Sequence, residues 1–379
     1  MTSAESIVAL NALPNIGPIR VKRLVERFGS AEAVLRAPAG KLRSVAGIGP
    51  ETAETIRSWE DLVDPGAELR RAREMGVAVL TPEDEGWPAP LREIYDAPLV
   101  LYVWGSLDPG DRHAIGVVGS RRATHYGRRI THKLSFQLAR AGFTVVSGLA
   151  RGIDTAAHEA AIAANGRTIA VVGSGLCKLY PPENFPLAEK IASGFGAVVT
   201  EFPLDTAPSK QTFPMRNRIV AGWAQAILVT ESPGWSGSLI TANLATEYGR
   251  PVFAVPGQAD QPSSEGCHKL IRNGATLVTD AAHLLDDLGT LPLGAAARPE
   301  NSDTDSPPSE SGDAPREQDT PTLPPEETAI LEALGNEETP VDLLIERTGL
   351  PAPTVTATLM KLEIARRVRQ LPGFRYARR

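Results

Sequence analysis

Cysteine is scarce: Cys177 and Cys267 are the only two, they stand far apart, and neither sits in a Cys-x-x-Cys pair. That argues against a structural zinc site and a disulfide framework, so no metal is expected, and it fits a reducing compartment. Aromatic residues make up only 5%, too few for rows of stacking platforms. No apolar run approaches the ~20 residues needed to span a bilayer. The opening MTSAESIVAL has neither a basic stretch nor an apolar core. A chain with no membrane partner, placed in the cytoplasm, is the expectation. A basic excess is also missing. The formal net charge is -6, which excludes a simple polycation. No G-x-x-x-x-G-K-[ST] run occurs and the first strand lacks G-x-G-x-x-G, which argues against a Walker ATPase and a dinucleotide oxidoreductase, so no cofactor is expected.

What is present is 379 residues, 42% of them hydrophobic, enough for two or three packed cores. Composition divides the chain into a helical region at 1–75, an α/β region at 78–293, an acidic Pro/Ser-rich stretch at 294–325 and a helical, finally basic region at 326–379. The third stretch holds too few large apolar residues to offset the entropy of ordering and is expected to be a flexible tether. Charge is uneven: residues 300–327 are acidic, whereas Ile364 to Arg379 contain six arginines and no acid. Local clusters therefore matter more than the total.

The first region repeats itself. Ile16-Gly17-Pro18 and Ile48-Gly49-Pro50 each precede a helical pattern, resembling a tandem helix-hairpin-helix (SAM-like) unit. Glycine permits the tight turn, proline starts the helix, and the free N–H groups there can face a phosphate. Arg20, Lys22 and Arg23 lie close by. The alternative is a packing scaffold without a DNA face, an alternative that Glu51 and Glu54 favour in the second copy.

The second region alternates short β-branched runs with helical stretches, the rhythm of a parallel Rossmann-like sheet. Strands are predicted at Ile115–Gly119, Thr144–Gly148, Ile169–Gly173, Ala197–Thr200, Ala226–Thr230 and Val252–Val255. Ligands of such sheets sit outside the carboxyl ends of the strands, and the chemistry-bearing residues fall there. Gly119, Ser120 and Arg121 offer a close backbone, a hydroxyl and a planar cation suited to phosphate. Arg151 follows the second strand, where Asp154 can cap the helix or orient it. Gly173, Ser174 and Gly175 follow the third. Lys210, Phe213, Arg216, Asn217 and Arg218 set cations beside one ring, the composition of a single-strand site. Ser236, Gly237 and Ser238 open a helix and supply an anion seat. Each motif alone is also explained without a ligand. Arg216 and Arg218 can pair with Glu201 or Glu231, Phe213 can be core, His158 reads as packed, and Trp223 and Trp235 read as packing or interface residues.

Together, Gly119-Ser120-Arg121, Ser147 to Asp154 with His158, Phe213 to Arg218, Ser236 to Ala242, Gly249 to Gly257 and Gly266 to Ala275 resemble the DNA-processing protein A family (DprA/Smf), over roughly residues 80–290. The resemblance implies an extended Rossmann fold, a homodimer, binding of single-stranded DNA in natural transformation, and loading of the RecA recombinase. A single-strand-binding protein is a further partner to consider. It also implies that Arg121 and Lys210 line the DNA pocket, with Phe213 stacking a base. His268 departs from the asparagine frequent in the family. The last region reads as a winged helix, with helices over Thr328–Leu334 and up to Gly349, a third after Pro351, and a wing near Gln370–Tyr376. Its third helix offers only Lys361 as a cation, so DNA contact and protein contact stand equally.

The reading drawn from these residues is a non-catalytic single-strand DNA binder. The rival is a nucleotide-processing enzyme of the phosphoribohydrolase kind, for which Glu201 and Glu231 are the strand-end carboxylates. A purely structural adaptor is a third.

Overall fold

The computed structural model describes residues 1–289 and, beyond them, 325–334, 339–351, 354–355, 358–359, 362, 368–371 and 375–378. The tether expected at 294–325 lies outside the described residues save for its last position. Contacts divide the chain into two units, 1–299 and 300–379.

The first unit begins with seven short helices. Two of them, Pro18–Phe28 and Pro50–Arg57, start at the repeated Gly-Pro pairs, with proline in the first turn and extended backbone at Gly17 and Gly49. Val21, Leu24, Ala53 and Ile56 are fully buried, which accounts for the apolar spacing of both copies. The helical bundle is continuous with the sheet. Val8 and Leu10 share one core with Tyr102, Val198 and Leu204. Asn11 donates to the Glu201 carbonyl at 2.8 Å, and Arg71 pairs with Asp205.

The sheet has nine strands: β1 Val77–Leu80, β2 Leu101–Gly105, β3 Ala114–Val118, β4 Thr144–Ser147, β5 Thr168–Val171, β6 Gly196–Thr200, β7 Ala226–Val229, β8 Val252–Ala254 and β9 Thr276–Leu277. Their order is β1-β2-β6-β5-β4-β3-β7-β8-β9. The run from β6 to β9 is parallel, whereas β2 is antiparallel to both β1 and β6. The six predicted strands are present. They stop short of Gly119, Gly148 and Gly173, which turn into loops. β1, β2 and β9 were not predicted. β1 and β2 form a hairpin-like antiparallel edge without the βα rhythm, and β9 has two exposed residues.

Helices cover both faces. His125–Arg140 and Ile153–Ala163 place Leu134, Leu138 and Ala157 against Ile115, Val145 and Leu228. Thr212–Trp223 and Gly237–Glu247 place Ile219, Val220 and Ala242 against Val146, Ile169 and Ile227. Parallel strands covered on both sides read as continuous apolar runs, as these do.

In the second unit, helices Pro325–Leu334 and Val341–Thr348 accompany a sheet of Thr339–Pro340, Arg375–Arg378 and Val368–Leu371. Gly349 ends the second helix in the left-handed region, φ 65°. Ile330, Leu344, Leu359 and Tyr376 form its core. Lys361 lies outside the described residues. Among the described residues no helix is long and apolar enough to cross a membrane.

Candidate nucleic-acid interface

Strand order fixes where a ligand enters. From β3 the sheet grows one way through β4, β5 and β6, then the other way through β7, β8 and β9. At such a reversal the loops leaving the two central strands diverge and open a crevice. A cleft of about 500 Å³ lies there, lined by the loops after β3, β4 and β7 and by the start of helix Thr212–Trp223.

The β3 turn is held from below. A Cβ on Gly119 would sit 2.6 Å from both the Glu231 carbonyl oxygen and a methylene of Ile153, so only glycine brings the backbone this close. Ser120 N donates to the Glu231 carbonyl at 2.8 Å, and the Ser120 hydroxyl accepts from Arg122 N at 3.1 Å. The Glu231 carboxylate accepts from Thr124 N at 3.0 Å and from the Thr124 hydroxyl. Thr124 in turn caps helix His125–Arg140 by accepting from Gly127 N at 3.0 Å. The β4 loop is shaped by Asp154, whose carboxylate accepts from Gly148 N (3.1 Å) and Ala150 N (3.3 Å). Burial pushes that carboxyl above its ordinary range, against the pull of Arg216. Gly152, at φ 80°, lies so close under Ser120 that a Cβ would meet its carbonyl oxygen at 2.3 Å.

The β7 loop delivers helix Gly237–Glu247 to the cleft. Ser236 caps it, accepting from Ser238 N at 3.3 Å. The Ser236 and Ser238 hydroxyls are 2.8 Å apart, and Ser238 donates to Ser232 at 3.0 Å. Ser238 is therefore buried in a hydroxyl chain, while Gly237 is exposed at the helix start. Asn217 reaches the same place, donating to the Gly237 carbonyl at 3.3 Å.

Three exposed cations line the cleft, Arg121, Arg122 and Lys210, and among the described residues none of them has an ion-pair partner. Arg121 lies over the Phe213 ring, 4.9 Å from its centroid. Phe213 is half-buried above Gly173, where a Cβ would come within 2.9 Å of the ring. Beyond it stands Tyr180, exposed, with ring centroids 5.9 Å apart. Arg151 lies 5.8 Å over Tyr180 and pairs with Glu183 at the surface. Two rings flanked by two arginines thus form a row, of which Arg121 and Phe213 line the cleft while Tyr180 and Arg151 lie beyond its lining. Sequence reasoning missed Tyr180, whose only signal was an aromatic between Leu179 and Pro181 in a segment without periodicity.

Other expected residues are placed elsewhere. Arg218 does not face the cleft. It is 6% exposed, paired with the buried Glu201 and bonded to the Asp96 carbonyl. Arg216 belongs to the floor, 4% exposed, donating to the Val171 carbonyl at 2.8 Å, with its Nε unpartnered. Burial lowers its pKa to about 10, with Asp154 opposing. Gly148 makes room for it, since a Cβ there would lie 1.5 Å from the guanidinium. Gly173, Ser174 and Gly175 are buried and do not line the cleft. Gly175 packs under Leu204 and donates to the Thr206 carbonyl at 2.9 Å. These three support the rim rather than form it. His268 places Nε2 3.1 Å from the Gly257 carbonyl oxygen, outside the cleft lining. Trp223 is core, whereas Trp235 does not pack and is 94% exposed. Glu201 and Glu231, the carboxylates a nucleotide-processing reaction would draw on, are both buried and engaged, Glu201 by Arg218 and Glu231 by Thr124.

Comparison with known proteins agrees with this layout. Residues 78–289 match the family model described as DNA recombination-mediator protein A, 314–373 the DprA winged helix domain, and 7–58 the SAM-like helix-hairpin-helix tandem. Protein Smf of Synechocystis is 38% identical, with 98% of each chain covered. Protein Smf of Escherichia coli is 42% identical over 78% of this chain and 76% of its own. The solved structure of DNA processing protein A from Streptococcus pneumoniae is 34% identical with a TM-score of 0.65, covering 76% of this chain and 98% of that one. A Helicobacter pylori DNA processing protein A, whose structure concerns its single-stranded DNA binding mode, is 29% identical with a TM-score of 0.50, over 55% of this chain and 95% of that one. A family model spanning the whole sheet, and a relative aligned from end to end, place this chain in the DNA recombination-mediator protein A (DprA/Smf) family.

Proposed function

We propose that the cleft between the β3 and β7 loops grips the phosphate backbone of single-stranded DNA and that the chain acts, without catalysing a reaction, as a mediator in natural transformation. Arg121 and Lys210 neutralise phosphates. Free N–H groups at Gly237 and Arg121 take further oxygens. Phe213 and Tyr180 stack successive bases, which every base tolerates because every base has a π-face. The observation that carries this reading is the set of unpaired cations at the switch point of the sheet, with Arg121 lying over the Phe213 ring. The Helicobacter pylori relative supports the choice of ligand. Handing the strand to a RecA recombinase, pairing into a homodimer and working beside a single-strand-binding protein complete the proposed role.

The test compares an oligothymidylate of about 20 nucleotides with thymidine monophosphate, since a backbone grip grows with strand length. Tight binding of the oligomer, weak binding of the nucleotide and loss of the former in Arg121→Ala/Lys210→Ala are expected. Equal binding of both ligands, or release of free base from the nucleotide, would overturn the reading in favour of a nucleotide-processing site.

A further inference from the structure

The β7 loop leaves one large ring in solvent. Trp235 lines the cleft yet is 94% exposed, while Trp87 and Trp223 are 3% and 1% exposed and Trp59 and Trp104 are half-buried. Leaving an indole in water gives up the free energy of its burial, so a fold that holds it there firmly needs another reason. The loop is indeed held. Gly266 N donates to the Ser232 carbonyl at 2.8 Å. A Cβ on Gly266 would come within 2.6 Å of the Pro233 carbonyl, and one on Gly234 within 2.6 Å of the Glu265 carboxylate. The backbone before Trp235 is thus pressed against helix Glu265–Arg272, and Ser236 just after it caps helix Gly237–Glu247, so the loop that carries the ring is anchored at both ends. From that helix the exposed Lys269 reaches over the indole, its Nζ 5.6 Å from the ring centroid.

We propose that Trp235 and Lys269 form a second base seat of the cleft, on a different element from Phe213, with the indole stacking a base of the bound strand and Lys269 meeting the adjoining phosphate. The inference rests on the reading of the cleft as a single-strand site. Three observations favour a nucleic acid over a protein partner. The ring lies on the same cleft as Arg121 and Lys210. Its loop neighbours Ser232, Pro233, Gly234 and Ser236 are small or polar. One of its faces already carries a cation, the same pairing that Arg121 makes with Phe213. A cation and a ring side by side serve a phosphate and its base.

The experiment titrates the full chain with an oligothymidylate and with a matched abasic oligomer, following tryptophan emission and affinity. The thymidylate is expected to quench emission in the wild type, and the abasic strand is not. Trp235→Ala is expected to weaken the thymidylate complex about 5- to 100-fold, the range of one base–aromatic stack. It should leave the abasic complex at wild-type strength, and Trp235→Phe should recover most of the loss. Because the ring is exposed, its removal opens no cavity, and unchanged circular dichroism confirms the fold. Wild-type affinity of Trp235→Ala for thymidylate, with tight binding by the wild type, would overturn the seat while leaving the single-strand reading intact. So would intact DNA binding with a change of oligomeric state in sedimentation, which would assign Trp235 to a protein interface. No binding by the wild type would instead overturn the single-strand reading.

Discussion

His158 lies fully buried, its Nδ1 2.6 Å from the Thr168 hydroxyl at the start of β5 and its Nε2 without a protein partner among the described residues. Burial, with Arg216 adding to it, lowers its pKa from 6.5 to about 3. Above pH 6.5 the ring is neutral in both folded and unfolded chains and contributes no pH dependence. Between that pH and about 3, the unfolded chain binds a proton that the folded one refuses, so stability falls as pH falls. Urea unfolding should show wild type losing roughly 1.4 kcal/mol per pH unit across this window relative to His158→Gln. Identical pH profiles would show that the ring is solvated. A second contrast separates the two kinds of arginine. Arg218→Ala leaves Glu201 buried without its cation, which costs about 3–5 kcal/mol. Arg121→Ala removes an exposed side chain and should change stability by no more than about 0.5 kcal/mol while weakening DNA binding. Paired thermal melts and binding titrations read both effects.

At the scale of elements, Glu231 ties three of them together: it lies in the loop just after β7, its carbonyl accepts from Ser120 N in the β3 turn, and its carboxylate holds Thr124 at the start of helix His125–Arg140. Glu231→Ala keeps the main-chain bond to Ser120 but strands the Thr124 N–H, which loosens the segment following Arg121. Destabilisation by about 1–3 kcal/mol is expected, together with weaker oligothymidylate binding although Glu231 touches no DNA. Unchanged binding would mean the turn keeps its shape unaided. The elements differed in how far the sequence revealed them. β3 to β8 were legible because each is an apolar run followed by a helix, and the loops after them carried the glycines and serines that the cleft uses. β1 and β2 were not, since the antiparallel edge lacks that alternation. Arg216 and Arg218 were read as equivalent, but two residues along a helix rotate a side chain by about 200°. One therefore meets the cleft floor and the other meets Glu201 on the far side. Gly173, Ser174 and Gly175 resembled a ligand loop in composition but are buried, with Gly173 beneath Phe213 and Gly175 beneath Leu204. Tyr180 and the outward pose of Trp235 depend on contacts between distant segments, Phe213 and Arg151 for one and helix Glu265–Arg272 for the other, and no local pattern encodes them.

Across the whole molecule, net charge and binding chemistry point in opposite directions. In the proposed role, a chain of formal charge -6 would meet a polyanion through a cleft whose exposed cations have no carboxylate partners among the described residues. Neutralised phosphates release counterions, so affinity should fall steeply with salt despite the global charge. The salt dependence of oligothymidylate binding, in wild type and in Arg121→Ala/Lys210→Ala, tests this most directly. Each single-strand phosphate contact adds about 0.7 to the slope of log affinity against log salt, so the double variant should bind more weakly with a slope shallower by about 1.4. A double variant with wild-type affinity and the same slope would show that these two cations hold no phosphate, and would contradict the account of the cleft.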